Sequence, residues 1–221
     1  MPRKRPVSEY PEGARRKAAI IQAATKFFAL NGYRDASLAS IASAAGLTQP
    51  GLLHHFPSKP ELLLAVLRDR ELRDKTLVAD AIKANPDDVV GLLKVLVAHN
   101  AAEQDDTLLH TVISAEATSP SHPAHEFFVA RYTRVRKALT RSIGKQAAAA
   151  GMSEEQIAAL ATICMAVMDG LQIQSLLDPK IDMAANFEEF GEIVRRAIAS
   201  SSAPAGKPRS PATGEARGAA S

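Results

Sequence analysis

The chain has 221 residues, 46% of them hydrophobic, with 27 Lys and Arg against 24 Asp and Glu. That is enough apolar material for a sizeable core in one or two domains, and the abundance of alanine and leucine without tryptophan points to helix throughout. No apolar run approaches the roughly 20 residues of a membrane span, no apolar segment follows the basic start as in a secretory signal, and the lone Cys164 excludes an intrachain disulfide framework or cysteine zinc cluster.

Pro2, Pro6 and Pro11, with Arg3, Lys4 and Arg5 among them, predict a flexible basic arm over residues 1–11. A first helix is expected from Glu12 to about Asn31, with Ile20, Ala24, Phe27 and Phe28 on one side and Arg15, Arg16, Lys17, Gln22 and Lys26 mostly on the other. Asn31-Gly32 ends it, and Tyr33 follows. Ser37 then suits an N-cap for a helix whose apolar face is Leu38, Ile41, Ala42 and Ala45. Gly46 can take the left-handed conformation that stops it, and Leu47 turns inward. Thr48 caps the next helix, with Pro50 in the first turn, where its missing N–H costs nothing. Leu52, Leu53 and Phe56 form the apolar side, leaving Thr48, Gln49, Gly51 and His54 or His55 outward. This is the pattern of a helix-turn-helix, whose second helix enters the DNA major groove. The same spacing alone also fits a helical corner buried in another domain.

Ser58-Lys-Pro-Glu61 is a capping box opening a long helix, with Leu62, Leu63, Val66, Leu67, Leu77, Val78 and Ile82 on its apolar side. Asn85-Pro-Asp-Asp begins another, which continues through Val89, Leu92, Leu93, Leu96 and Val97. Further helices are expected from about Asp106 to Thr118, and from after Pro123 to about Ala150, where Gly151 stops the helix. Ser153-Glu-Glu-Gln156 is a second capping box, opening a helix to Leu177 that is apolar over more than one face and so is buried or packs on a partner chain. Asp178-Pro179 ends it. A last helix runs from about Asp182 to Ser200, before a tail rich in Ala, Ser, Pro and Gly that reads as disordered. The expected architecture is therefore all-α, with about nine helices.

The net charge of +3 is unevenly placed. Residues 1–59 hold nine Lys and Arg against three carboxylates, a surplus of +6; residues 201–221 carry +2, which leaves −5 for the middle. A basic head on an acidic body suits one end that meets a polyanion and another that does not.

Ile20-Ile-Gln-Ala-Ala-Thr-Lys-Phe-Phe28, Gly32-Tyr33, Ser37-Leu38, Ile41-Ala42, Ala45-Gly46-Leu47-Thr48, Leu52, His54, Phe56, Ser58-Lys59 and Leu62 together resemble the DNA-binding domain of the TetR family of bacterial transcriptional regulators. Met168-Asp-Gly-Leu-Gln-Ile-Gln-Ser-Leu-Leu-Asp-Pro179, followed by Asp182-Met183, is similar to the next-to-last helix and turn of many such regulators from high-GC bacteria. The resemblance implies a basic arm (1–11), a three-helix DNA-binding domain (12–58), a larger helical ligand-binding and dimerisation domain (59–200) and a tail (201–221). It also implies a cytoplasmic homodimeric repressor, paired through the last two long helices (about 153–177 and 182–200), that binds a palindromic operator in double-stranded DNA and is released by a small-molecule inducer. No cofactor or metal is implied.

Carried over position by position, Thr48, Gln49, Pro50, Gly51 and His54 would face the groove, while Ser37, His55 and Lys59 would hold phosphates. Where the family often has Leu-Tyr-His-Tyr-Phe, this chain has Leu52-Leu-His-His-Phe56, which replaces two phenols and alters the contact set. The residues expected to line a mostly apolar ligand cavity are His99, Glu103, His110, Cys164, Met165, Met168 and Gln172. An enzyme is the first rival: His122-Pro-Ala-His125-Glu126 gathers two histidines and a carboxylate, yet it is not the His-Glu-x-x-His metal motif. No Gly-rich phosphate loop, serine elbow or Cys/His pairing appears. A second rival is a DNA-binding activator or nucleoid-type protein without a ligand, and a third is a dimeric scaffold that keeps the fold alone.

Overall fold

A computed structural model describes residues 12–84 and 89–201, and these form nine helices and no strand. The expected arm, the Asn85-Pro-Asp-Asp helix start and the tail beyond Ser201 lie outside the described residues. The helices are α1 (Glu12–Asp35), α2 (Leu38–Ala44), α3 (Gln49–His55), α4 (Lys59–Ala84), α5 (Val89–Ala102), α6 (Gln104–Glu116), α7 (His125–Ala149), α8 (Glu154–Leu177) and α9 (Met183–Ser201).

Their boundaries follow local chemistry. α1 runs on to Asp35 but breaks at Gly32, whose φ of 67° and ψ of −177° are not helical. Ser37 accepts the Ser40 N–H and Thr48 accepts the Gly51 N–H, both at 3.3 Å, so each helix of the turn motif has its cap. Such a cap contributes on the order of 1 kcal/mol. Gly46, at φ +70°, makes the turn between them. Ser58 accepts the Glu61 N–H at 3.3 Å, and its hydroxyl donates back to the Glu61 carboxylate. Ser153 and Gln156 form the full reciprocal box at the start of α8.

Two apolar clusters hold the helices. The first takes Ile20, Ala24 and Phe28 from α1, Ile41 and Ala42 from α2, Leu52 from α3, and Leu62, Leu63, Val66 and Leu67 from α4. It continues into Leu109 and Ile113 of α6 and Phe128 of α7, so the three-helix unit shares its core with the body of the molecule. α6 lies along α1 over much of its length. The second cluster joins Leu93 and Val97 of α5, Leu139 and Ile143 of α7, Ile157, Ala161, Cys164 and Met165 of α8, and Met183, Phe187 and Val194 of α9. Each large side chain buried in this way is worth about 1.5–3 kcal/mol.

Two expectations need correction. The apolar stripe of α4 does not run on as expected: Leu77 and Val78 are half-buried and Ile82 is exposed, while Arg70 and Asp74 are buried. The intervening turns face other helices through charged groups, as described below. And α8, at 24 residues, is long and apolar enough by length and composition to cross a membrane, contrary to the reading that no such run exists. Its alanines, isoleucines and methionines are interrupted by few charges, and only 28% of its most apolar window is buried within the chain. Ile163, Ile173 and Leu177 on α8 and Ile193 on α9 stand exposed, Leu177 by 81% and Ile193 by 62%.

Gly32 is both left-handed and crowded: a Cβ there would lie 2.2 Å from Glu116 Oε1. Gly32→Ala is expected to lower stability in urea unfolding by about 1–2 kcal/mol from the backbone alone, and by more once Glu116 gives up its bond to the Tyr33 N–H. An unchanged unfolding midpoint would show that the bend is not needed.

Candidate functional site

Phe28, Ile41 and Leu52 are fully buried, and they fix α3 against the rest of the unit with its other face outward. Of the residues expected to face DNA, Thr48, Gln49, Pro50 and His54 are exposed, and Gly51 and His55 are half-buried. Ser37 is exposed at the N-terminus of α2. The His54 and His55 rings meet edge to face, 5.6 Å apart. Leu53 leans on the core instead of presenting a polar group. Lys59 is turned back: its ammonium donates to the Arg34 carbonyl at 2.8 Å and lies 4.9 Å over the Tyr33 ring. It is thereby tied to the end of α1.

Tyr33 is also where the head meets the body. Its N–H donates to Glu116 Oε2 at 2.9 Å, and its ring meets the His122 ring edge to face at 5.1 Å. His122 Nδ1 accepts the Ala124 N–H, so its Nε2 carries the proton of the neutral ring and points toward Glu116 Oε2 at 3.4 Å. His125 Nδ1 pairs with the Ala117 carbonyl at 2.8 Å. Both histidines of the His-Pro-Ala-His stretch thus hold the passage from α6 to α7. Among the described residues no three His, Cys, Asp or Glu side chains gather as a metal site would require.

The body contains a cavity of about 50 Å³ among α4, α5, α6, α7 and α8. The surface turned into it is mostly apolar, as expected, although polar residues paired with one another stand behind much of it. Arg70 donates to Asn100 Oδ1 at 3.2 Å, Arg131 donates to Asp74 Oδ2 at 2.9 Å, and the Tyr132 hydroxyl donates to Asp169 Oδ2 at 2.7 Å. Arg73, just outside, pairs with Asp106 through both ends of its guanidinium. Burial raises the Tyr132 hydroxyl and, more weakly, the Asp169 carboxyl above their usual ranges.

Of the expected ligand residues, His110, Met165, Met168 and Gln172 line this cavity. Cys164 does not; it is packed in the second core cluster, and burial pushes its thiol up to about 11. His99 is half-buried on α5 away from the cavity, and Glu103 lines a separate groove among α1, α4 and α6. Sequence reasoning passed over Arg70, Asp74, Asn100, Arg131, Tyr132 and Asp169. A signal was there: on α4 the stripe Leu63, Val66, Leu67 leads at helical spacing into Arg70 and Asp74, and on α5 Leu93 and Val97 lead into Asn100.

A helix-turn-helix on a helical body agrees with what known proteins show. Residues 20–66 match the model of bacterial regulatory proteins of the tetR family, and residues 92–202 match the C-terminal model of BetI-type transcriptional repressors. The chain belongs to the TetR family of bacterial transcriptional regulators. Within it, the HTH-type transcriptional regulator RutR of Escherichia coli K12 is 43% identical over 53 residues, 24% of this chain and 25% of RutR. The transcriptional repressor AcnR of Corynebacterium diphtheriae is 28% identical over 94 residues, 42% of this chain and 46% of AcnR. The chain thus matches less than half the length of either relative. Among solved structures, a Saccharomonospora viridis protein in complex with choline superposes with a TM-score of 0.67 at 24% identity, over 82% of this chain and 97% of that one. The families and relatives are transcriptional regulators, not enzymes.

In this TetR-family chain the cavity also makes stability depend on pH. Burial, aided by the charges of Arg70 and Arg131, holds the His110 imidazole well below its usual range; Asp169, 3.9 Å away, is the carboxylate facing it. Burial lowers His122 as well. Below about pH 6.5 the unfolded chain takes up protons that these rings refuse in the folded state, so stability rises with pH through that window. The urea midpoint is expected to fall between pH 7.5 and 5.5, and His110→Gln should flatten the fall. An equal slope in the variant would remove His110 from the account.

Proposed function

We propose that this regulator is a homodimeric repressor that binds a palindromic operator in the cytoplasm and leaves it when a small-molecule inducer fills the cavity among α4–α8. The observation that carries the reading is the course of α4. Its first turns, through Leu62, Leu63, Val66 and Leu67, close the core beneath α3; one to two turns further on, Arg70 and Asp74 wall the cavity. A ligand that favours one position of this helix biases the placement of the recognition helix, and only such differential affinity shifts the equilibrium. Residues 12–58 are the DNA-binding unit, and residues 59–200 bind ligand and dimerise.

Thr48, Gln49, Pro50, Gly51 and His54 are proposed to face the major groove, with Gln49 bonding a base edge and Pro50 packing on a thymine methyl. Ser37, His55 and Lys59 hold phosphates on either side. The exposure of Ser37, Thr48, Gln49, Pro50 and His54, with Gly51, His55 and Lys59 half-buried, supports this assignment. Anisotropy of labelled DNA from around the protein's own gene, at several salt concentrations, tests it. Tight binding to one roughly palindromic site is expected, and Lys59→Ala should weaken binding to all sequences and reduce the log–log salt slope by about 1. Weak, sequence-blind binding to every fragment would overturn the repressor reading.

The homodimer is supported by the outward face of α8. Ile163, Ala166, Gly170, Ile173 and Leu177 recur at spacings of three and four, and a Cβ at Gly170 would meet nothing within 4 Å. Ile193 of α9, the helix packed on α8, is exposed as well, and such apolar exposure suits a second copy. The double variant Ile163→Asp, Ile173→Asp is expected to sediment as a monomer and to lose operator binding. A dimer that survives both changes would place the interface elsewhere.

A further inference from the structure

One carboxylate of the body is fitted to the end of the DNA-binding unit. Glu116 closes the last turn of α6, and both of its oxygens meet the bend of α1. Oε2 accepts the Tyr33 N–H at 2.9 Å, across 83 positions of sequence. Oε1 lies so close to Gly32 that a Cβ there would fall 2.2 Å from it. His122, at the start of the passage to α7, adds a third contact: its side chain is 8% exposed, and its otherwise unpartnered Nε2 lies 3.4 Å from Glu116 Oε2. The two residues that follow Gly32 in turn hold Lys59, whose ammonium donates to the Arg34 carbonyl at 2.8 Å and stands 4.9 Å over the Tyr33 ring. An ammonium has three N–H donors, so two remain for phosphate oxygens.

We infer that Glu116 is a positioning residue for DNA binding: through the Tyr33 N–H it fixes the Tyr33 ring and the Arg34 carbonyl, and these hold the Lys59 ammonium ready for a phosphate. The inference rests on reading Lys59 as a phosphate ligand. Glu116 cannot take that part itself, because an ionised carboxylate has no N–H or O–H to offer a phosphate and carries the same sign of charge. Its effect is on order. A lysine side chain has much rotamer freedom to lose when it is immobilised on DNA, and a side chain already held in place loses less, which favours binding. Glu116 also acts on Lys59 by charge, as does Asp35, each favouring the protonated ammonium against its burial. Charge and position can be told apart, because glutamine keeps the acceptor and drops the charge.

The test uses the full chain with DNA from around its own gene and with a mixed-sequence duplex at low salt, since a phosphate contact acts on every sequence. Urea unfolding first confirms that each variant is folded under the assay conditions. Glu116→Ala is expected to weaken binding to both DNAs by about threefold to tenfold. In a Lys59→Ala background the same change should cost less than about twofold, because the group it positions is gone. Glu116→Gln, whose amide oxygen can accept the Tyr33 N–H, should bind within about twofold of the unaltered chain. Hydrogen exchange of the Tyr33 amide, measured without DNA, should be faster in Glu116→Ala and unchanged in Glu116→Gln. Losses that simply add in the double variant would mark a general structural role and overturn the inference. Tighter binding by both Glu116 variants would do the same, by showing that the carboxylate acts through its charge alone, as would Tyr33 exchange indifferent to Glu116→Ala. Each of these outcomes leaves Lys59 a phosphate ligand. DNA binding unaffected by Lys59→Ala would instead sink that reading of Lys59 and this inference with it.

Discussion

A charge taken out of water must find a partner or cost several kcal/mol, and Arg70 and Asp74 place that constraint on the helix that starts beside the recognition helix. Asp74 meets it through Arg131, which ties α4 to α7; Arg70 meets it through Asn100, which ties α4 to α5. Arg73 and Asp106 join α4 to α6, and Tyr132 with Asp169 joins α7 to α8. Apolar contact is non-directional and lets helices slide, whereas these bonds demand particular distances and angles. The rotation and height of α4 are thus set by directional bonds at one level of the body, while its first turns are packed into the core of the head. Two acceptors left unpaired at that level mark where the arrangement is incomplete.

A second tie reaches the head from the other side. Glu116, in the last turn of α6, holds the Tyr33 N–H just past the bend in α1, and the Tyr33 ring lies between Lys59 and His122. The end of α1, the start of α4 and the passage from α6 to α7 meet there. Movement of α4 relative to α6 therefore cannot be absorbed silently; it must either break a named contact or carry α1 along.

Much of this was legible from residue order alone. Caps at Ser37, Thr48, Ser58 and Ser153, and stops at Gly46 and Gly151, act through neighbours within four residues, so the sequence holds all the parties. The surface placement of Thr48, Gln49, Pro50 and His54 followed from the apolar spacing of Leu52, Leu53 and Phe56. The cavity was less accessible. His110 and Gln172 were among the residues expected at the cavity, but Arg70, Asp74 and Arg131 were not, because their partners lie 30 or more positions away. Cys164 and Glu103 were also expected there, but Cys164 is packed in the second core cluster and Glu103, between α5 and α6, lines another groove. The identity of a distant charge partner has no local signature, even where the α4 stripe leads into Arg70 and Asp74, whereas the breadth of the apolar surface of α8 was legible in its own residues.

The recognition helix itself has only seven residues. A helix so short has no independent stability, so α3 is held by its Thr48 cap, by buried Leu52 and by its neighbours. Thr48 is the one side chain with a structural duty among those turned outward; Gln49, Pro50 and His54 have little more than solvent to lose. After gene duplication, one copy can therefore acquire a new promoter by a handful of substitutions there without first gaining stability elsewhere. The wall of the body's cavity offers less freedom, since most of its polar residues answer to one another. Lineages built on this scaffold should diversify quickly in where they bind and slowly in what they detect.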